Sequence, residues 1–435
     1  MTVKPSEIVE YPCLNEKIKG KDSSLAEFRQ KVRQFENQTW RFMHDHPGAD
    51  NSDRVKAVTA SGNALLNVLP LSASKAQKSY WMARIYFTMD ADHPRALELA
   101  EKALRLNAFM VDAYILMANI NWAQKQFKKA SVCIPESYNL EQSPKTMAYM
   151  SFSYRIASTQ AWEPTHKDLL IKQAIELAKG ALKLDPNYVF AQYCLGISYF
   201  YKFFLPGKKN EYILKCGIAI CEKAVNHPTN PFIRSDVFFN LAEAEIYLQN
   251  YNKAIDYLQK ARQWEGIKDE LPALATLYSD LKKLYFEFDK QKALMSIHKA
   301  MNADELTQNS NCGICSLSNH SATSIAVKVI SQIPTERSTP KNFVVLDSNF
   351  DVAVLSIFNV SESIKIFIKD VLYLPAPTLK MISIPYLGDL TILRVEDPVG
   401  MTRNGKGFSP RSSAKPRNQK KKTRRTRRQR HKRQI

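Results

Sequence analysis

Ala181-Leu-Lys-Leu-Asp-Pro-Asn-Tyr-Val-Phe-Ala-Gln-Tyr-Cys-Leu-Gly-Ile-Ser-Tyr199 is the stretch whose reading decides the fold. Ala181 sits near the end of one helix, and Pro186 stands where that helix must stop. Proline lacks the backbone donor that a further turn would need, and its ring clashes with the preceding turn. A second helix follows and carries Leu195, Gly196 and Tyr199. Small residues mark the places where two helices approach closely, so this segment is the junction between two stacked helical hairpins.

Working outward, the packing alanine of the second helix recurs as Ala96, Ala130, Ala174 and Ala254, with Gly217 in a degenerate copy. Ala96 to Ala130 is one period of 34 residues, the repeat length of tetratricopeptide arrays. The step of 44 to Ala174 implies about ten inserted residues around Ala157 to Lys167, and the step from Gly217 to Ala254 is 37. A second alanine follows seven residues later as Ala103, Ala181, Ala224 and Ala261, on the same helical face. First helices register at Asp112–Trp122 and Asp236–Tyr247. Ser52 to Leu69 is predicted to be one more helix, and Ser24 to His44 another ahead of it.

From Asn302 to Ser321 the chain is rich in Asn, Ser and Cys, the composition of a linker. Alternating β-branched segments follow at Thr323–Ile333, Asn342–Leu346, Val352–Val360, Val371–Leu374, Leu379–Ile384 and Leu390–Val395. So many short strands in a small domain predict a closed barrel. The predicted divisions are a helical or loose segment over 1–51, five to six repeats over 52–301, a linker over 302–321, the barrel over 322–405 and a tail over 406–435.

The net charge of +20 belongs to that tail. Residues 398–435 hold 15 Lys or Arg and no acid, leaving 47 basic and 42 acidic side chains in the rest. Lys420, Lys421, Lys422, Arg424, Arg425, Arg427 and Arg428 have the composition of a disordered arm. They suit salt-sensitive attachment to phosphates, as in ribosomal RNA, equally a nuclear-import signal, and also a merely solubilising arm.

Enzyme classes find no footing. The eight histidines are scattered, and the sequence has neither a phosphate loop nor a nucleophile elbow. Cys312 and Cys315 with His320 lack the second pair that a structural zinc requires, so no metal or other cofactor is expected. No apolar run is long enough to span a membrane, and Met1–Asp22 lacks the core of a signal peptide. A cytoplasmic and nuclear protein with no membrane partner is expected.

A binding groove is the better reading. Counting back from the registered alanines, the concave positions of the first helices are Trp81, Asp112, Asn119, Trp122, Phe190, Tyr193, Tyr201, Asp236 and Glu243, with Arg155 added from a helix whose register the alanines do not fix. Carboxylates there suit basic side chains of an extended peptide, an arginine suits an acidic one, and amides suit its backbone. On the barrel, Phe343, Phe350 and Phe358 are either base-stacking platforms of an RNA-binding adaptor or core residues.

The order of several words resembles the tetratricopeptide repeat protein 5 (Strap) family over about residues 55 to 406. They are Ser61-Gly-Asn-Ala-Leu65, Ala181–Pro186, Leu195–Tyr201, Val345–Ser348, Leu374–Pro377, Arg394–Pro398 and Asn404–Lys406. The resemblance implies an all-α tetratricopeptide-repeat superhelix followed by a small all-β OB-fold barrel, with the basic tail added. It implies a non-catalytic adaptor that recognises the Met-Arg-Glu start of nascent tubulin at the ribosome and promotes decay of tubulin messenger RNA. The family's other role is a nuclear stress-response scaffold for an acetyltransferase co-activator complex. Arg155 matches a groove arginine of the family and would pair the acidic residue of the tubulin start. Asp236, with Glu243, would pair its arginine. The basic cluster after the repeats is thin here, reduced to Lys290, Lys292, His298 and Lys299.

Overall fold

The structure, a computed structural model, describes residues 23–46, 49–205, 210–226, 235–264, 271–301, 313–314, 317, 324–337, 339–360, 364–384 and 386–407. Helices come first: α1 (Ser23–Asp45), α2 (Asn51–Asn67), α3 (Lys75–Met89), α4 (Pro94–Leu106), α5 (Val111–Ala123), α6 (Phe127–Leu140), α7 (Pro144–Gln160) and α8 (Pro164–Leu184). They continue as α9 (Val189–Phe204), α10 (Glu211–Val225), α11 (Ser235–Tyr247), α12 (Tyr251–Trp264) and α13 (Pro272–Met301). Strands follow as β1 (Ile325–Ile333), β2 (Lys341–Leu346), β3 (Val352–Ile357), β4 (Val371–Leu374), β5 (Thr378–Ile384), β6 (Gly388–Val395), β7 (Thr402–Arg403) and β8 (Lys406–Gly407). Among the described residues, no helix is long and apolar enough to cross a membrane.

Local chemistry sets the helix starts. Asp50 with Asp53, Ser74 with Gln77, and Ser143 with Thr146 form reciprocal caps that satisfy otherwise orphaned backbone donors. Pro94, Pro144 and Pro164 occupy first-turn positions, where a missing donor costs nothing. Helix α6 runs through Pro135, a residue that would break an isolated helix.

Two compact units result, one of residues 1–248 and 253–271, the other of 249–252 and 272–435. In the first, the registered alanines are buried: Ala96, Ala103, Ala130, Ala174, Ala181 and Ala254 have no exposed surface. Polar links between neighbouring repeats recur at sequence separations close to one period. Lys145 donates to Asp112 across 33 residues, Lys202 to Asp168 across 34 and Tyr257 to Glu222 across 35. Fourfold longer spacing would mark distant contacts; this spacing marks nearest-neighbour stacking. The inserted residues near Ala157–Lys167 lengthen the two helices that meet there, which are joined by the non-helical residues 161–163. Helix α7 has 17 residues against 13 in α5, and α8 has 21 against 14 in α6.

Helix α1 is fastened to the array by a buried bidentate ion pair. Arg84 donates from Nε and Nη2 to the two Glu36 oxygens at 2.5 and 2.9 Å, and its Nη1 donates to the Tyr80 hydroxyl at 3.0 Å. Trp81, expected in the groove, lies beneath α1 with its ring edge-on to Phe28 at 5.7 Å. The added helix therefore turns a concave position into core.

The second unit begins with α13, which the repeat count had grouped with the array. Its buried Leu274, Leu277, Leu281, Leu284 and Phe288 recur every three or four residues, and the helix packs on β1, β2, β3 and β6. Large leucines rather than alanines on this face suit a sheet surface better than a close helix crossing. Strand order is β5-β6-β3-β2-β1-β4-β7-β8, antiparallel except for the parallel pair β3–β6. Strands β4 and β5 flank opposite sides of this ladder yet are separated by only Pro375, Ala376 and Pro377. The sheet must therefore curl until those sides meet, which makes a barrel. Its interior holds Val327, Val329, Phe343, Val345, Leu355, Leu372 and Leu393. Phe343 and Phe358 are each 1% exposed and Phe350 is half-buried, so the three phenylalanines considered as platforms do not form one.

Candidate functional site

Three first helices in succession, α7, α9 and α11, each contribute one residue to a polar relay. Arg155 Nη2 donates to the Tyr193 hydroxyl at 3.3 Å, and that hydroxyl donates to Asp236 Oδ2 at 2.7 Å. The three residues are 38 and 43 positions apart in sequence, slightly more than one repeat period. Stacking of like helices is what brings them together.

The Arg155 guanidinium lies among rings. Its central carbon is 4.7 Å from the Phe152 ring, 5.5 Å from Tyr193 and 5.6 Å from Tyr201. Guanidinium stacks well on aromatic faces because it is planar and weakly hydrated. The enclosure leaves Arg155 only 4% exposed, while Asp236 is half-buried. Burial pushes the Tyr201 phenol above its ordinary pKa, and Arg155 partly opposes that shift. Cys194, one residue after Tyr193, is fully enclosed, and burial raises its thiol to about 12, which makes it an inert packing group.

Asn119 lies further along the same series of first helices. Its Nδ2 donates to the Tyr149 hydroxyl at 3.3 Å, while its buried carbonyl oxygen accepts no hydrogen bond from the described residues. Trp122 stacks parallel to Tyr149 at 6.4 Å, Tyr149 meets Phe190 at 4.8 Å, and Phe190 stacks on Tyr193 at 5.9 Å. This chain of rings connects Asn119 to the Arg155 relay. Asp112 is engaged with Lys145 at the start of α7. Glu243 is half-buried on α11, seven residues after Asp236 and so on the same face two turns on.

Thus Arg155, Tyr193 and Asp236 are brought together, Asn119 is joined to them by rings, and Glu243 shares a helix face with Asp236. Phe152 and Tyr149 escaped the sequence reading. Phe152 stands three residues before Arg155 in Met150-Ser-Phe-Ser-Tyr-Arg155, a spacing that places it on the arginine's face. Lys420, Lys421, Lys422, Arg424, Arg425, Arg427 and Arg428, and the Cys312, Cys315 and His320 group, lie outside the described residues. Of the thin post-repeat cluster, Lys299 is paired with Asp351 at 3.0 Å and Lys292 covers the Phe288 ring at 5.6 Å.

The site is non-covalent in character: a cation and an anion held about one phenol, bordered by rings and an amide. Among the described residues no group of three or more His, Cys, Asp or Glu is placed to hold a metal.

Comparison with known proteins agrees with both units. Residues 298–417 match the family model of the tetratricopeptide repeat protein 5 OB fold domain. Tetratricopeptide repeat protein 5 of Homo sapiens is 23% identical over 352 residues, covering 74% of this chain and 78% of that protein. The protein of that name from Bos taurus is 22% identical over 347 residues, with the same coverage. Among solved structures, the thermophilic tetratricopeptide protein TTC0263 of Thermus thermophilus is 17% identical with a TM-score of 0.36, over 47% of this chain and 95% of that one. The Cut9–Hcn1 hetero-tetramer is 15% identical with a TM-score of 0.42, over 61% of this chain and 51% of that one. Helical repeats thus stand ahead of a matched OB fold, and the chain is similar across three quarters of its length to proteins named tetratricopeptide repeat protein 5.

Proposed function

We propose that this chain is a non-catalytic adaptor that grips the Met-Arg-Glu start of nascent tubulin at the ribosome and promotes decay of the messenger RNA being translated. The observation that carries this reading is the Arg155–Tyr193–Asp236 relay. Without ligand, two opposite charges share one phenol; a peptide with adjacent basic and acidic side chains offers each a stronger partner. Asp236, with Glu243 on the same face, takes the peptide arginine. Arg155 exchanges the neutral Tyr193 hydroxyl for the peptide carboxylate. A charge-assisted bond of this kind contributes roughly 1.5–3 kcal/mol against about 1 for a neutral one, so the exchange is favourable. The free carbonyl of Asn119 supplies an acceptor for a peptide backbone N–H.

Binding of labelled Met-Arg-Glu-Ile, alongside the peptide with Arg and Glu exchanged, tests this. Arg155→Ala and Asp236→Ala should each weaken the cognate peptide about ten- to a hundred-fold, by loss of one such bond. Tyr193→Phe should change it less than about ten-fold, because the phenol serves only the empty state. Equal binding of both peptides would sink the assignment and leave the nuclear acetyltransferase scaffold as the family role to pursue.

The tail is proposed to provide the ribosome contact that the post-repeat cluster, with Lys299 already engaged, supplies poorly. Removing residues 407–435 should weaken ribosome co-sedimentation, most visibly as salt is raised. Undiminished association at physiological salt would assign the tail to nuclear import instead.

A further inference from the structure

The barrel carries an exposed apolar surface that the groove reading does not use. The connection from β3 to β4 ends in a tight turn whose tip bears Phe367 and Ile368, 57% and 59% exposed. The turn is firmly mounted. Buried Asp370 accepts the Phe367 N–H at 2.8 Å through Oδ2 and the Asn404 amide at 2.7 Å through Oδ1. Lys369, in the left-handed region at φ 76°, donates its N–H to the Val329 carbonyl at 2.7 Å. Lys341 Nζ holds the Ile364 carbonyl at 2.9 Å, and Arg403 donates to the Lys365 carbonyl. An apolar pair held out on a rigid support loses little freedom on binding, the usual property of an interaction hot spot.

Strand β4 extends the surface. Leu372 and Leu374 point into the barrel, while Val371 and Tyr373 face outward, each nearly half exposed. Across the ladder on β1, Lys328 stands opposite Val371, and Ala326 stands opposite Tyr373, where a lone methyl leaves that ring's flank open. The surroundings are cationic. Lys365 and Lys369 flank the tip, Arg403 on β7 has its guanidinium 6.0 Å from the Phe367 ring, and Lys406 follows on β8. Arg403 Nε lies 3.9 Å from the buried carboxylate of Asp370, while among the described residues no ion pair involves Lys328, Lys365, Lys369 or Lys406. The sequence then runs from β8 directly into the tail, with ten further basic residues between Lys420 and Arg433.

We propose that the outer face of β4 and the 364–370 turn dock an acidic amphipathic peptide of a partner protein. Charge complementarity selects the acidic partner. The apolar set selects a peptide over a single-stranded nucleic acid. Half of it, Ile368 and Val371, is β-branched aliphatic, which packs apolar side chains but adds no stacking platform for bases. This surface is independent of the groove and of the identity of its ligand.

The test uses the full chain and fluorescein-labelled Glu-Asp-Phe-Glu-Glu-Leu-Phe-Asp-Glu at about 150 mM salt, where weak long-range attraction is screened. Phe367→Ser and Tyr373→Ser should each weaken binding about ten-fold, as loss of a hot-spot ring does. The paired Lys365→Ala and Lys369→Ala change should weaken it similarly, and more at low salt. Because these side chains are exposed, the thermal midpoint of each variant should match the parent. A peptide with Phe and Leu replaced by Ser should bind the parent at least about ten-fold less well. Absence of binding, or equal binding of the Ser peptide, would overturn the proposal, as would indifference to Phe367→Ser and Tyr373→Ser. Tighter binding of an oligouridylate of roughly 15 nucleotides, with the same dependence on Phe367, would overturn it in favour of nucleic acid.

Discussion

Replacing Glu36 with alanine should lower the stability of the repeat unit by about 3–5 kcal/mol, measured as the shift in its urea unfolding transition. Glu36 and Arg84 are both buried, and their two short, parallel hydrogen bonds are the geometry in which a carboxylate and a guanidinium satisfy each other. Removing the carboxylate leaves a buried cation beside the Tyr80 hydroxyl and the Trp81 ring, 5.2 Å away. Neither replaces a charge. The double change Glu36→Leu with Arg84→Met should recover most of the loss, because burying a pair of ions costs nearly as much desolvation as their attraction returns. A Glu36→Ala chain destabilised by less than about 1 kcal/mol would show that water reaches the site and screens it.

Gly196→Val should cost about 3 kcal/mol and weaken peptide binding in the groove as well. A Cβ at position 196 would stand 2.4 Å from Cys221 Sγ and 3.2 Å from the Gly217 carbonyl. The contact is reciprocal: a Cβ at Gly217 would meet Phe200 at 2.8 Å and the Gly196 carbonyl at 3.2 Å. Helices α9 and α10 thus cross glycine on glycine. Valine would improve intrinsic helix propensity by roughly 0.3 kcal/mol, too little to offset a clash in a fully packed interior. Since α9 also carries Tyr193 and Tyr201, pushing it away from α10 would move two of the groups that hold Arg155. Thermal unfolding and Met-Arg-Glu-Ile binding of the same variant check both expectations. A stable variant with weakened binding would mean that α9 shifts as a rigid body at little cost.

Much of the architecture was legible because it is written in local chemistry. The alanine register fell on buried positions, and predicted strands lie close to the observed ones, as at Val371–Leu374. Helix α7 also continues past Ala157 to Gln160, into the region where the period implies an insertion, since extending a capped helix satisfies every new backbone group. The groove was legible only as a set of candidates. Register identifies which residues share a helix face, but not whether another element covers that face. Trp81 was lost to the core for that reason, under α1.

The chain's sequence by itself determined the repeat period, the packing alanines, the alternation of the strands and the concentration of positive charge after residue 398. Each of these depends on residues within one or two turns, or one strand, of each other. Only the tertiary structure decided that one phenol stands between Arg155 and Asp236, that α13 packs on the sheet and that Phe367 and Ile368 remain outside the barrel. Those outcomes depend on which side chains, tens of residues apart, come within a few ångströms once the helices stack and the sheet closes. No pattern along the chain encodes that proximity; close packing of the assembled elements does.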